Sequence, residues 1–320
     1  MLLERLSDGM FHSGERLALE LGISRTAVWK RIKTLTAYGL DVYRVRGRGY
    51  RLPRPLELLD IDKIRAVLAP EVKHEIDSIE LLYMTDSTNR LLMDRIGVSG
   101  FHGSIALAEF QSAGRGRRGR HWLSPLGAGI CLSAGWHFDA QPEAMPALSL
   151  AAGVAIVRSL HEQGLVKARL KWPNDIICAG KKLGGILLET RGEMAGPCDI
   201  VLGIGINYQL PEQAVSEIAQ PVTDICSQQA SPLSRNRLAG VVINSAVRML
   251  KEFSVHGFAP FSEYWRQYDW YAGKQATLLM PDRSYTGKVL GVSGNGLLRM
   301  SIEGEIHQFA NGELSLRITH

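Results

Sequence analysis

The 320-residue sequence predicts an α+β protein in three parts: a small helical unit with a hairpin, a central mixed unit and a short all-β unit. Apolar residues near the N-terminus recur at helical spacing, whereas the C-terminal segment consists of short strands divided by turn residues. Between these two parts, strands and helices mix without regular alternation. Hydrophobic residues make up 45 % of the chain, which favours a sizeable core and excludes global disorder.

The N-terminal unit predicts two helices followed by a hairpin. Ser13 can cap the first helix, which Gly22 ends, and Ser24 can cap the second helix, which Gly39 ends. Two short helices joined by a glycine-containing turn are typical of a helix-turn-helix. Residues 41–52 then alternate around a glycine-rich turn, which predicts a basic hairpin. Together these elements indicate a winged helix-turn-helix.

Positive charge is concentrated in this first unit. Residues 1–55 contain eleven Lys/Arg and five Asp/Glu, whereas the remaining chain contains 26 and 27. This asymmetry indicates that a polyanion binds the N-terminal unit, with the second helix in the major groove of DNA and the wing on phosphates. A winged helix used only for protein contacts or dimerisation is the alternative. The candidate DNA-binding residues are Ser24, Arg25, Thr26, Trp29, Lys30, Lys33, Arg46 and Arg48.

The central unit follows a stiff linker at residues 53–55. Its longest apolar stretch, residues 148–157, is far shorter than the ~20 residues that span a bilayer, and no signal peptide is visible. We therefore expect a cytoplasmic protein without a membrane partner. Four cysteines without a C-x-x-C pair predict reduced, buried thiols rather than structural zinc. The predicted strands are residues 79–84, 104–110, 129–136, 168–172, 182–190 and 200–206, and the predicted helices are residues 56–69, 88–96, 146–164 and 236–257.

The C-terminal unit predicts a small β-barrel of SH3-like size, because its strands are short and glycine-containing turns divide them. We place the domain boundaries at 1–54, 55–270 and 271–320. The predicted strands are residues 276–280, 286–292, 297–301, 305–309 and 314–317, and the predicted turns are Pro281-Asp282, Gly294-Asn-Gly296, Glu303-Gly304 and Asn311-Gly312.

The segment Gly114-Arg-Gly-Arg-Arg-Gly-Arg120, called the arginine loop below, matches the dinucleotide pattern G-x-G-x-x-G. That fingerprint needs a helix immediately after it, whereas Pro125 and Gly127 follow here. The sequence also lacks the P-loop pattern, which excludes a P-loop ATPase. Glycines let the backbone approach a ligand, and arginines bind phosphate or carboxylate. We expect a loop that an anion orders, with a solvated basic loop or a nucleic-acid patch as the alternative.

Polar residues also lie at the ends of several predicted strands. Asp86–Asn89 offers hydroxyl and amide partners for a polar head group, although it also suits a plain helix N-cap. Lys171–Asp175 ends a strand with an amide and a carboxylate. Gly180–Gly185 places Lys182 before a strand, and Gly203–Asn207 ends a strand in an amide.

At these motifs the chain resembles the biotin–protein ligases, in the long form that also represses biotin operons. The resemblance covers nearly the whole chain and implies a central catalytic unit of the biotin/lipoate ligase type. Related lipoate and octanoyl transferases share the fold but lack the arginine loop. The matching segments are Asp86–Asn89, Gln111–Arg120, Lys171–Asp175, Lys182–Ile186 and Gly203–Asn207.

The resemblance implies that the carboxylate of biotin attacks the α-phosphate of ATP, giving biotinyl-5′-AMP, and that a lysine of a biotin carboxyl carrier protein domain then takes the biotin. It further implies Mg²⁺ on the phosphates, operator DNA as a partner and an adenylate-promoted homodimer. The alternatives are a lipoyl or octanoyl ligase and a ligand-sensing transcription factor without ligase activity.

The resemblance also implies roles for individual residues. Some family members cover the adenine with a tryptophan, but this chain has none between Trp172 and Trp265. Aliphatic residues such as Val222 or Ile225 would cover it instead, or the adenine would be covered less fully. No protein metal site is assigned. The implied catalytic residues are Lys182, Arg117 and Asp175; the biotin-binding residues are Ser87, Thr88, Asn89, Gln111, Arg115, Gly116, Arg117 and Lys182; the nucleotide-binding residues are Arg117, Arg118, Asn174, Asp175 and Asn207.

Overall fold

The computed structural model describes residues 2–139, 145–192, 196–280 and 283–310, and the backbone of residues 315–318. These residues form a winged helix, a central seven-stranded sheet with helices on both faces, and a C-terminal five-stranded sheet. The predicted α+β class and the order of its three parts are confirmed. Within the described ranges, the search for a helix long and apolar enough to cross a membrane found none.

The winged helix contains three helices and a two-stranded wing. Ser13 and Ser24 accept backbone hydrogen bonds from the third residue after each of them, as their predicted capping roles require. One short helix, at the start of the chain, was not predicted. The elements are α1 (Leu2–Leu6), α2 (Gly14–Glu20), α3 (Arg25–Ala37), β1 (Tyr43–Val45) and β2 (Gly49–Arg51).

The central sheet has the strand order β3-β4-β5-β9-β8-β7-β6, in which β3 and β4 pair in parallel and the other described neighbours are antiparallel. The ends of several of its strands lie at one cavity. The strands are β3 (Ser78–Thr85), β4 (Ser104–Gln111), β5 (Gly129–Phe138), β6 (Ala168–Lys171), β7 (Asp175–Cys178), β8 (Lys181–Gly192) and β9 (Cys198–Asn207).

Helices cover both faces of this sheet. Two long helices, α7 (Leu148–Glu162) and α10 (Arg235–His256), pack together against the main hydrophobic core. On the opposite face, α6 (Thr88–Met93) places Leu92 in a separate small core. The remaining helices are α4 (Ile61–Val67), α5 (Pro70–Glu75), α8 (Glu212–Glu217), α9 (Ile225–Gln228) and α11 (Ala259–Tyr268).

The predicted single helix over residues 56–69 is wrong. The chain is extended before Asp60, whose side chain caps α4, and Pro70 then begins a second helix, α5. The physical reason is tertiary: the backbone N–H groups of Leu59 and Asp60 donate to the side chains of Glu109 and Asn236, far away in the sequence. These bonds satisfy the backbone groups that a longer helix would have used.

The C-terminal unit is a five-stranded antiparallel sheet in the order β13-β12-β11-β10-β14, which confirms the small all-β unit. The indole Nε1 of Trp172 donates to the carbonyl of Gly296 at 3.1 Å and so joins this unit to the central one. The predicted turns Pro281-Asp282 and Asn311-Gly312 lie outside the described residues. The strands are β10 (Gln275–Leu279), β11 (Ser284–Val292), β12 (Leu298–Ile302), β13 (Glu305–Phe309) and β14 (Ser315–Ile318).

The winged helix packs directly on the central unit. Tyr38, the residue that ends α3, stacks on Phe110 of β4 with ring centroids 4.5 Å apart. Its carbonyl accepts a hydrogen bond from the backbone of Leu126, and Leu126 is buried in the winged-helix core. The segment that follows the arginine loop therefore contacts the end of α3, the helix predicted to enter the major groove and called the recognition helix below.

Candidate active site and DNA-binding surface

A cavity of about 1100 Å³ opens at the ends of the central strands. Pockets for a single small ligand usually measure ~300–1,000 Å³, so this cavity lies at the upper end of that range and can hold a large ligand. Its wall brings together residues from all five segments that carry the family resemblance. The predicted site residues on the wall are Ser87, Thr88, Asn89, Gln111, Arg115, Gly116, Arg117, Asn174, Asp175, Lys182 and Asn207.

One end of the cavity is a buried polar network. Gln111 at the end of β4 accepts hydrogen bonds through Oε1 from the backbone N–H of Thr88, at 2.8 Å, and from its hydroxyl, at 3.1 Å. The hydroxyl of Ser133 on β5 donates to Asn89 Oδ1 at 2.6 Å. Ser87 is the N-cap of α6, and it also lines the cavity. This end can recognise a compact polar head group.

A glycine on β9 makes this network possible. A Cβ atom at Gly203 would lie 2.1 Å from Asn89 Oδ1, far inside van der Waals contact. Only a residue without a side chain therefore leaves room for the Asn89 amide between the helix and the sheet.

The arginine loop covers the cavity. It contains a single turn of 3₁₀ helix at Arg117–Gly119, and irregular chain follows, which confirms that it is not a dinucleotide fingerprint. Arg117 donates to Asn174 Oδ1 at 3.3 Å. Burial lowers the pKa of Arg117, and the negative charge of Asp175 opposes that shift. The Arg117 guanidinium stays charged despite this shift, because the ordinary pKa of arginine lies far above neutral pH.

Arg118 is placed differently from the other predicted residues. Its side chain is exposed, its backbone has a φ of 59°, and it lies outside the cavity wall. The predicted contact between Arg118 and the nucleotide therefore has no counterpart in this geometry.

The opposite end of the cavity holds a lysine–carboxylate pair. Lys182 Nζ lies 2.8 Å from Asp175 Oδ1, and both side chains are less than a fifth exposed. The same ammonium lies 5.7 Å from the centre of the Trp122 ring. A cation held between a carboxylate and an aromatic face is fixed in position, which suits it to bind phosphate or carboxylate oxygens.

Two predicted amides hold the walls of this end. Asn174 Nδ2 donates to the carbonyl of Ile186, and Asn207 Nδ2 donates to the carbonyl of Thr223 at 3.0 Å. Both amides therefore already have a structural function. Val222 lines the cavity, as predicted for an adenine-covering residue, whereas Ile225 is buried in the main core and does not line it.

The sequence analysis missed several residues that line the cavity or support its wall. Trp122 lies two residues after the arginine loop, and its ring lies against Gly205, where a Cβ atom would come within 2.6 Å of the ring. Ser133 completes the polar network, and Tyr271 reaches the cavity from the start of the C-terminal unit. Burial raises the pKa of Tyr271. Only Trp122 had a usable signal, its place beside the loop; the other two are brought in by tertiary packing.

A second groove runs between α3 and the wing. Arg25, Thr26 and Trp29 line it from the helix, and Arg46 lines it from the wing. Lys33 Nζ lies 4.8 Å from the centre of the Trp29 ring, and Arg48 lies over Phe11 at 4.2 Å. Ser24 is used as the helix cap, and Lys30 is exposed on α3. Four of the predicted DNA-binding residues thus line one groove, and its arginines suit contact with a nucleic-acid backbone.

Comparisons with known proteins agree with both sites. Residues 81–207 match the Biotin/lipoate A/B protein ligase family, and residues 2–51 match an HTH domain family. A biotin protein ligase from Aquifex aeolicus, solved in complex with biotin and ATP, superposes with a TM-score of 0.63 at 28 % identity, over 76 % of this chain and 99 % of that one.

Full-length relatives share both units. The bifunctional ligase/repressor BirA of Salmonella typhimurium is 39 % identical over 317 residues, which cover 99 % of this chain and 96 % of that protein. The protein of the same name from Escherichia coli is 38 % identical over the same shares. With a winged helix, a central ligase unit and matching motifs along nearly its whole length, this chain belongs to the biotin–protein ligases of the bifunctional ligase/repressor family.

Proposed function

We propose that this protein activates biotin with ATP as biotinyl-5′-AMP and transfers the biotin to a lysine of a biotin carboxyl carrier protein domain. The adenylate-bound form then dimerises and binds operator DNA, which represses the biotin biosynthesis genes. The main observation in support is the convergence of Lys182, Asp175 and Arg117 in one cavity whose other end is a buried polar network. The cytoplasm, where ATP, carrier and DNA meet, is the compartment we propose.

Charge is the main obstacle in the first step. The carboxylate of biotin attacks the α-phosphorus of ATP, a C–O–P bond forms, and pyrophosphate leaves with the electron pair. Both reactants are anions, so cations must hold them together and neutralise the developing charge. Lys182, fixed by Asp175, and Arg117, fixed by Asn174, supply two such cations.

In the second step the neutral amine of the carrier lysine attacks the carbonyl carbon of the mixed anhydride, and AMP leaves. A lysine has an ordinary pKa of about 10.4, so this amine must first lose a proton. We assign Asp175 the positioning of Lys182 in both steps. Gln111, Thr88 and Asn89 hold the head group of biotin while the bond breaks.

Use of ATP implies Mg²⁺, and the cavity wall fits an ion held mostly by phosphate oxygens. Asp175 and Glu217 supply lining carboxylates, and in the described ranges no group of three or more metal-binding side chains was found. Mg²⁺ is usually bound through one or two carboxylates plus substrate phosphates and water. Asp175 would hold it, and the bound ion would neutralise phosphate charge.

Biotin-dependent exchange between pyrophosphate and ATP tests the first step. Lys182→Gln and Arg117→Gln should each lower the exchange rate by about 10²–10³-fold, the loss typical of one charge-stabilising group. Lys181→Gln is the matched control, because Lys181 is adjacent, exposed and outside the cavity wall. Normal exchange in both site variants would contradict the assignment.

Three further assays separate the alternatives. Labelling of a carrier lysine with biotin distinguishes a ligase from a pure ligand sensor. Titration calorimetry with biotin and with lipoate distinguishes the two ligase types. Gel-shift and sedimentation measurements with and without biotinyl-5′-AMP test the proposed dimer and its binding to DNA; equal binding in both states would contradict the coupling.

A further inference from the structure

The arginine loop is attached to the sheet on two sides. Arg117 reaches Asn174 near the lysine–carboxylate pair. Arg115 reaches the opposite side, where Nη1 lies 3.4 Å from Oε1 of Glu189 on β8. Glu189 is a quarter exposed and is not part of the cavity wall, so it does not touch a ligand in the cavity.

The second oxygen of Glu189 is bound to the polar end of the cavity. Asn89 Nδ2 donates to Glu189 Oε2 at 2.8 Å and also to the carbonyl of Leu187 at 3.3 Å. Since Asn89 Oδ1 accepts from Ser133, each polar group of this amide has a partner. The carboxylate of Glu189 therefore connects Asn89, in the polar network at one end of the cavity, with Arg115 of the arginine loop.

The charge of the loop explains why an acid is useful at this place. Four arginines lie within seven residues and repel one another, so an unattached loop would open. A partly exposed ion pair contributes only modestly to stability. Such a contact favours closure and still lets the loop open for substrate entry and product release.

We propose that Glu189 is a positioning residue that keeps the arginine loop closed over biotinyl-5′-AMP, through its bridge between Asn89 and Arg115. The proposal rests on the proposed function for the identity of the retained ligand. Glu189 itself takes no part in bond making. It sets how often the loop opens, and hence how long the intermediate is held.

Glu189→Gln is the variant that separates the two contacts. Glutamine keeps the size of the side chain and an oxygen that accepts from Asn89, but it removes the charge that attracts Arg115. Glu80→Gln is the matched control. Glu80 lies on β3 of the same sheet, outside the cavity wall, and forms an ion pair with Arg95 that is exposed to a similar extent.

The first measurement uses protein saturated with biotin, whose carboxylate is the kind of anion expected to order the loop, and it does not depend on ligase activity. Trypsin cleavage after the arginines of the loop should be about two- to fivefold faster in Glu189→Gln than in the parent, the factor that a partly exposed ion pair sustains. Glu80→Gln should be cleaved at the parent rate. Equal loop cleavage in all three proteins overturns the proposal.

The second measurement is the dissociation rate of biotinyl-5′-AMP in a chase with unlabelled ligand. Glu189→Gln should release it about two- to fivefold faster, with biotin affinity within twofold of the parent. Adding Glu189→Gln to Arg115→Gln should cause no further increase, because both changes remove the same contact; multiplied effects overturn the proposal. If the parent forms no adenylate from biotin and ATP, the proposed function fails, while trypsin still tests the loop contact.

Discussion

Replacing Arg235 with methionine tests whether a buried charge joins residues 57–59, which follow the winged helix, to the ligase unit. Arg235, the first residue of α10, is fully buried and donates to Glu109 Oε2 at 2.6 Å. It also donates to the carbonyls of Gly129 and Glu57, and its backbone N–H donates to the Glu57 carboxylate. Glu109 Oε1 accepts a hydrogen bond from the backbone N–H of Leu59, so the cluster of Arg235, Glu109 and Glu57 holds residues 57–59 in place.

The size of the effect follows from burial. Glu109 is 5 % exposed, so Arg235→Met leaves a carboxylate away from water with a single N–H donor. Removal of one partner from a buried pair costs about 3–5 kcal/mol. That is a large fraction of the roughly 5–15 kcal/mol by which folded domains are stable. We expect the free energy of unfolding, measured with urea, to fall by this amount.

Arg248→Met is the matched control on the same helix. Its partner Glu71 and Arg248 itself are each more than half exposed, so this variant should lose far less stability than Arg235→Met. Glu109→Gln combined with Arg235→Met removes both charges and should be more stable than Arg235→Met alone. Equal losses in Arg235→Met and Arg248→Met, or a double variant no better than the single one, would refute the reasoning.

Three further predictions concern other parts of the molecule. Burial raises the pKa of Asp269 from 3.8 to about 6. The contribution of Asp269 to folding stability is therefore lost as the pH rises from about 4 to about 6. In urea unfolding, Asp269→Asn should raise the free energy of unfolding by about 2–3 kcal/mol at pH 7.5 and change it little at pH 4. Gly203→Ala should displace Asn89 and weaken biotin binding at least about tenfold by calorimetry, whereas Gly294→Ala, which meets nothing within 4 Å, should not. Arg46→Ala should reduce the salt dependence of operator binding by about 0.9 in the slope of log affinity against log salt; an unchanged slope would remove Arg46 from the phosphate contacts.

The sequence predicted those parts of the site that carry a local signal. Ser87 and Ser24 follow strand or turn residues in patterns that cap helices, and Lys182 and Asn207 lie at strand ends, so their placement follows from short segments. Tyr271 and Val222 are different, since the packing of distant segments brings them to the cavity wall. Val222 was named because the family resemblance required a cover, and no pattern pointed to Tyr271.

Arg235 shows why residues 56–69 were mispredicted as a single helix. A basic residue in the first turn of a helix is unfavourable beside the helix dipole, and an isolated sequence gives no reason to bury it. Its acceptors come from β4, β5 and the linker, which are adjacent only in the folded chain. The same tertiary bonds keep residues 57–59 extended, so the helical pattern of this segment was overridden by contacts that no local window contains.

The end of β4 joins the three features that matter for function. Glu109 pairs with Arg235 and binds the linker, Phe110 stacks on Tyr38 at the end of the recognition helix, and Gln111 accepts from Thr88 in the polar end of the cavity. Because these residues are consecutive and backbone hydrogen bonds hold the strand, none of the three contacts can shift far without the others. The ligase cavity and the DNA-binding unit therefore both contact the end of β4, and we expect a change such as Arg235→Met to affect both.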